Sequence, residues 1–439
     1  MKTSSSALFQ WHARQGAFER LSPPWEDVRV RNRNGSIRNG DTLDLEVRLG
    51  PIPIRWRARH QDYEEGRQFC DVQEGGPFKT WQHTHRVSED PSGALLEDLI
   101  SYELPLSLFS NPIAGRPVRA KLDRMFQYRH RTTRDDVEAH ERADIGSLRV
   151  GITGASGLIG QNLSPLLTTG GHQVESLKRS GTGESMWERA TLDGLDAVVH
   201  LAGESIDGRW TSSRKLAIER SRVEGTRRLV AELEKCDSPP DTLVCASAIG
   251  FYGDRGDETL DESASSGSGF LSEVCEQWEE AAGQAEARGI RVVNLRFGVV
   301  LSTRGGALRR MLPPFKLGGG GRIGSGEQYM SWVAIDDAVG AIHHAIGERE
   351  MSGPVNVVSE NPVTQQEFAK TLGRVLSRPT VFPLPGFVAR AAFGEMADAL
   401  LLSSTRCIPA ALQSNGYVFR YPDLEDALRF QLGRMPVSE

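Results

Sequence analysis

The sequence predicts an α/β protein: a doubly wound parallel sheet, preceded by an α+β domain and followed by a small cap region. Three observations carry this. From Leu148 a short apolar run leads through three glycines into a helix-like segment and a second apolar run ending at Lys178. Later apolar runs at 196–203, 242–248 and 291–298 alternate with helix-like segments, as parallel strands joined by crossovers do. Before residue 130 the apolar positions instead recur every second residue, the period of strands buried on one face.

Residues 1–130 form the first domain. A short helix-like start through Ala17, Phe18 and Leu21 stops at Pro23 and Pro24, because proline cannot continue a helix interior. Leu43, Leu45, Val47 and Leu49 then alternate with Asp44, Glu46 and Arg48, and Ile54, Trp56 and Ala58 alternate with arginines. Trp81, His83, His85 and Val87 continue the pattern, as do Leu96, Asp98, Ile100, Tyr102 and Leu104. Turn signals such as Asn34-Gly35 and Asn39-Gly40 separate the runs, so an antiparallel meander is expected. The period then changes: Val118, Leu122, Met125, Phe126 and Arg129 share one face of a helix that can lie across the sheet. Residues 131–147 are strongly charged and read as a solvated linker with partial helicity.

The paired stretches Trp81-Gln82-His83-Thr84-His85 and Asp98-Leu99-Ile100-Ser101-Tyr102-Glu103-Leu104-Pro105 are similar to strands of the START-like (SRPBCC, polyketide cyclase/dehydrase-type) helix-grip domains. That resemblance implies an apolar ligand between sheet and helix. The residues themselves leave a second reading open, in which Trp56, Trp81 and Phe126 fill the space.

Residues 148–377 form the second domain. In Gly154, Ala155, Ser156, Gly157, Leu158, Ile159 and Gly160, the first glycine allows a tight turn out of the strand. The second leaves room for a pyrophosphate, and the third lets helix and strand pack closely. Amide groups at the helix start attract the anion. This is a Rossmann-type cofactor site, and the turn Leu201, Ala202 and Gly203 after the next apolar run is expected against the same dinucleotide. Where a NAD-preferring site offers an acid, Lys178 and Arg179 offer positive charge suited to a 2′-phosphate, so NADP(H) is expected over NAD(H), with Arg179 in the site.

The fingerprint 153–160, with His200-Leu201-Ala202-Gly203-Glu204, Arg209-Trp210-Thr211, Ser221 to Thr226 and Ser247 to Asp254, resembles an atypical branch of the extended short-chain dehydrogenase/reductases, the epimerase family proteins. Gly318 to Gly321, Gly324 to Gln328, Ser331-Trp332-Val333 and Asp336-Asp337 match it too, and 378–439 resembles the branch's small C-terminal domain of unknown function. The resemblance implies NAD-dependent epimerase/dehydratase-like chemistry and a tyrosine and lysine four residues apart as the acid–base pair. In this chain Leu271 and Cys275 stand at those two places, Ala248 at the reactive serine and Arg222 at the supporting asparagine. Tyr252 and Ser247 are therefore the candidate proton donor and orienting hydroxyl, Ser247 also lying near the cofactor. Glu204, Arg209, Trp210, Gln328 and Trp332 are the candidates for substrate contact.

In the tail, Pro379, Pro383 and Pro385 make turns before an apolar run from Phe387 through Leu402. That run requires burial against the main domain or a second copy of the chain, a homodimer. The 439 residues carry a formal net charge of −6, which argues against nucleic acid or an anionic membrane as the main partner. No apolar run approaches the ~18 residues of a spanning helix, and the N-terminus lacks a signal-peptide core, so a cytoplasmic protein is expected. Five scattered cysteines imply neither a disulfide framework nor a zinc ribbon. His83 and His85 alternate along a strand without carboxylates at ligand spacing in sequence, so no metal site is expected. The composite expectation is an NADP(H)-binding oxidoreductase-like or nucleotide-sugar-epimerase-like protein of unidentified substrate. The alternative is a non-catalytic redox sensor or apolar-ligand-binding protein.

Overall fold

The computed structural model describes residues 1–105, 112–178, 187 and 189–436. The chain divides into two compact units: Met1–Asp144 with Pro165–Gly171 and Phe430–Glu439, and Ile145–Ser164 with His172–Arg429.

In the first unit, helices α1 (Ser5–Ala13) and α2 (Ala17–Arg20) precede six antiparallel strands in sequence order, β1 (Val28–Asn34), β2 (Thr42–Leu49), β3 (Ile52–Glu64), β4 (Gln68–Gly75), β5 (Thr80–Asp90) and β6 (Gly93–Glu103). Ser4 caps α1 by accepting from the Ala7 amide. Period-two alternation decides which face is covered: along β5, Trp81, His83, His85 and Val87 are buried while Thr80, Gln82 and Arg86 are exposed. Helix α3 (Pro112–Ala143) follows, and Phe126 from it meets His83 edge-on, ring centroids 5.1 Å apart. Trp56 and Trp81 pack perpendicularly at 5.2 Å, with Phe78 4.9 Å from Trp81. Aromatic rings thus occupy much of the covered sheet face.

The charged stretch read as a partly helical linker is helical through Ala143. Two buried groups explain why. Asp136 takes a bidentate ion pair from Arg20 of α2, at 2.7 and 2.8 Å, with both side chains almost wholly buried. Val137 joins a core that includes Phe9, Trp11 and Phe69.

The second unit is Rossmann-type. Its parallel strands are β7 (Arg149–Thr153), β8 (Gln173–Leu177), β9 (Ala197–His200), β10 (Thr242–Ala248), β11 (Arg291–Phe297) and β12 (Gly353–Val357), in spatial order β12-β11-β10-β9-β7-β8. Helices α4 (Leu158–Thr169), α5 (Ser212–Leu233) and α6 (Phe270–Gly283) lie between strands. The chain runs outward from β7 to β8, then returns past β7 to β9, so strand order reverses between β7 and β9. Open α/β sheets bind ligands beyond the carboxyl ends of the strands at such a reversal.

The tail is threaded into this unit rather than hung from it. Arg406–Cys407 pairs in parallel with Thr259–Leu260. Asp337, in the first turn of the helix Ile335–Gly347, accepts from the Arg420 and Tyr421 amides at 2.7 and 3.0 Å. Burial pushes its carboxyl up to about 6. The apolar run 387–402 is broken into short helical pieces, and Phe387 stays 72% exposed within the single chain.

Candidate functional site

The turn after β7 is shaped by two close approaches. Gly154 has φ +69°, and a Cβ there would lie 2.8 Å from the Leu201 carbonyl group. A Cβ on Gly160 would lie 2.6 Å from Ala155 Cα. Both glycines are therefore fixed by backbone contact. Gly157 differs: among the described residues, its Cβ would meet within 4 Å only the Gly154 carbonyl oxygen, at 3.2 Å. Among the described residues nothing covers its outer side, as a site for a diphosphate resting on backbone requires. Ser156 and Gly157 are exposed, and Ala155, Leu158 and Ile159 half-buried, at the start of α4.

Thr153 and His200, paired in register at the ends of β7 and β9, hold the two turns together. Thr226 Oγ1 donates to the Arg222 carbonyl at 2.6 Å, so it accepts from His200 Nε2 at 3.1 Å. The other ring nitrogen then accepts from Thr153 Oγ1 at 2.7 Å. Thr153 Oγ1 in turn accepts from the Leu201 and Ala202 amides at 3.1 and 3.2 Å. Burial holds the His200 imidazole down to about 4, so the neutral ring that this chain of bonds needs is the form present at neutral pH. Sequence reading named Leu201, Ala202 and Gly203 but missed the histidine that sets them. Its signal was the lone imidazole at the end of an otherwise apolar strand.

A second network lies beyond β10. Ser247 donates to Glu279 Oε1 at 2.6 Å, and Arg296 clamps Glu279 through two bonds at 2.8 and 2.7 Å. Arg296 Nη1 also donates to the Tyr252 hydroxyl at 2.9 Å, which lies within donating distance of Asn356 Oδ1 (2.8 Å) and the Asp261 carbonyl (3.0 Å). Despite burial, Glu279 keeps the Arg296 guanidinium charged and moves its pKa upward. Burial pushes the Tyr252 phenol up to about 12. Tyr252 has no exposed surface, and Ser247 is 4% exposed.

The remaining candidates separate. Glu204 and Arg209 are exposed; the Glu204 carboxylate pairs with Arg214 at 2.8 Å, and Arg209 reaches the Ala391 carbonyl. Trp210 packs with Ile218 and Met396 and donates to the Ile206 carbonyl. Trp332 is fully buried and donates to the Asn361 carbonyl. Gln328 turns inward and donates to the Ile323 and Leu401 carbonyls at 3.0 and 2.8 Å. Lys178 is exposed just past β8, and Arg179 lies outside the described residues.

A profile of the NAD dependent epimerase/dehydratase family matches residues 150–358. An epimerase family protein of Mycobacterium bovis is 42% identical over 296 residues, which cover 65% of this chain and 98% of that protein. The chain belongs to the epimerase family. Its front domain matches polyketide cyclase / dehydrase and lipid transport over residues 2–126, and its tail a domain of unknown function over 384–431. The crystal structure of a nucleoside-diphosphate sugar epimerase from Corynebacterium glutamicum superposes with a TM-score of 0.79 at 34% identity, covering 99% of this chain and 89% of that one. Human epimerase family protein SDR39U1, solved with NADPH, gives 0.61 at 34% identity, covering 65% of this chain and 99% of that one.

At the places where the sequence resemblance implies a tyrosine–lysine pair and its asparagine, the side chains are engaged otherwise. Leu271 packs beside Gly250, and Cys275 is buried with its thiol pushed up to about 11 by desolvation, with Glu279 adding to the shift. Arg222, at the asparagine place, donates to the Glu204 carbonyl at 3.0 Å and stacks over Trp278. No side chain at those three places is a proton donor matched to neutral pH.

Proposed function

We propose that this epimerase family protein binds NADP(H) across the carboxyl ends of β7 and β9 and acts as an oxidoreductase on a carbonyl or alcohol carbon. The open side of Gly157, bounded by backbone-locked Gly154 and Gly160, is the observation that carries the reading. Positive charge at Lys178 and Arg179, and the NADPH in the human relative's structure, support the phosphorylated cofactor. The bound cofactor supplies hydride. This chain's residues position it: the Leu201–Gly203 turn, fixed by Thr153 and His200, borders the diphosphate. Ser247 is the hydroxyl we assign to orienting substrate, with Glu279 as its acceptor, while Tyr252 holds Arg296. Glu204 and Arg209 are the exposed pair we keep at the mouth, and Trp210, Gln328 and Trp332 we assign to packing.

A second reading is a redox sensor that binds the cofactor without turnover, and Leu271 and Cys275 at the acid–base places favour it. One assay separates the two. NADPH absorbance is followed with purified protein against carbonyl compounds and sugar nucleotides, alongside a binding titration. Turnover supports the oxidoreductase, and saturable binding with no turnover across the panel supports the sensor. Absence of binding removes both.

A further inference from the structure

His83 and His85 have carboxylate partners, and the sheet register supplies them. Asp71 of β4 stands directly across from His83, and Asp98 of β6 directly across from His85. Because residues two apart share a face, the two imidazoles and two carboxylates form a square on the covered side of the sheet. Asp71 Oδ1 is 3.2 Å from His83 Nδ1 and 3.8 Å from His85 Nε2. Donor atoms of Asp71, His83 and His85 all lie within 4.8 Å of one another. Around a tetrahedral ion with bonds of about 2.1 Å, neighbouring donor atoms stand about 3.4 Å apart, so the triad needs little closure to share one ion.

A second observation points the same way. His85 is 7% exposed, and its Nδ1 lies 2.7 Å from Asp98 Oδ1, which leaves Nε2 as the ring atom turned toward Asp71. A carboxylate on one ring nitrogen orients the imidazole so that the other can ligate, as in carboxylate–histidine–metal sites. The surrounding shell is in place: Trp81 Nε1 donates to Asp71 Oδ2 at 3.1 Å, and His83 Nε2 is 3.0 Å from Asp98 Oδ1. Helix α3 contributes His130, whose Nε2 is 2.5 Å from Asp98 Oδ2. His130 also lines a surface groove of about 360 Å³ with Leu96, Gln127 and Arg134.

We infer that Asp71, His83 and His85 form a site for one divalent first-row transition-metal ion inside the front domain, with Asp98 as its outer carboxylate. Two imidazoles with a carboxylate suit zinc, iron or cobalt rather than calcium or magnesium, which take oxygen ligands. The inference is independent of cofactor binding in the second unit.

The test uses the full chain, stripped with a chelator and titrated with Co²⁺ and Zn²⁺. Readouts are the visible d–d bands of cobalt and the metal retained after gel filtration. One equivalent per chain is expected, with cobalt bands unlike those of the aquo ion. His85→Gln and Asp71→Asn each weaken Zn²⁺ binding on the order of 100-fold, since even outer partners of metal ligands are worth ~10–100-fold. His60→Gln leaves it unchanged. The side-chain amide introduced by Asp71→Asn can still accept from Trp81, so that variant reports on the site even where His85→Gln fails to fold. Absence of stoichiometric uptake, an aquo-like cobalt spectrum, or affinity that survives in Asp71→Asn overturns the inference and leaves a purely structural acid–imidazole cluster.

Discussion

The Thr153 hydroxyl donates to His200 Nδ1 at 2.7 Å while accepting two backbone amides from the turn after β9, so one side chain joins the ends of β7 and β9. Thr153→Val keeps the shape and removes these bonds. It leaves buried His200 Nδ1 and the Ala202 amide without that partner, and an unmet buried polar group costs about 1–3 kcal/mol, so the midpoint of denaturant unfolding falls, and NADPH titration of the folded variant shows weaker binding. Unchanged stability and affinity would mean the turns are held by other contacts.

His200 also predicts a pH dependence. The unfolded imidazole takes a proton below its ordinary 6.5, whereas the folded one resists until about 4. The unfolded state therefore binds more protons across that window, and stability falls as pH drops from about 6.5 to about 4. A shift of this size corresponds to about 3 kcal/mol when fully developed. Stability measured across this range should be flatter by up to one proton in His200→Gln than in the parent. Equal slopes would refute the assignment.

Arg296 and Glu279 form a nearly buried pair, so Arg296→Leu leaves a carboxylate without its partner and should cost about 3–5 kcal/mol in denaturant unfolding. Tyr252→Phe removes one hydroxyl from the same network and should cost about 1 kcal/mol. If the protein turns over NADPH, that rate survives Tyr252→Phe. Its collapse in a folded variant would restore Tyr252 as the proton donor.

The proposed cofactor choice rests on charge after β8. Arg179→Asp is expected to weaken NADPH at least tenfold more than NADH in parallel fluorescence titrations, since it replaces the cation proposed for the 2′-phosphate with an acid. Equal losses for both dinucleotides would count against it.

Local spacing made the cofactor half legible. The strand, glycine turn and helix from Leu148 to Lys178 are encoded by neighbours in sequence, and the structure has them as β7, α4 and β8. The front meander was legible for the same reason, through alternation along Thr80–Asp90 and Gly93–Glu103. What depends on distant partners was hidden. Trp210 reads as a mouth residue until Met396 and Phe393 of the tail pack around it, and Gln328 until Leu401 supplies a carbonyl. The charge between 131 and 147 suggests solvent, yet Asp136 is buried because Arg20 meets it from 116 residues away. The carboxylates opposite His83 and His85 were invisible because cross-strand register cannot be read from one strand.

That register makes hairpin length a chemical variable. The turn between β5 and β6 spans only Pro91 and Ser92, with Asp90 paired to Gly93. One residue added there would slide β6 by a single step and turn Asp98 out toward solvent, since a one-step slip exchanges the faces of a strand. An insertion at the protein's edge, touching no ionisable group, would then dismantle the acid–imidazole square in its interior.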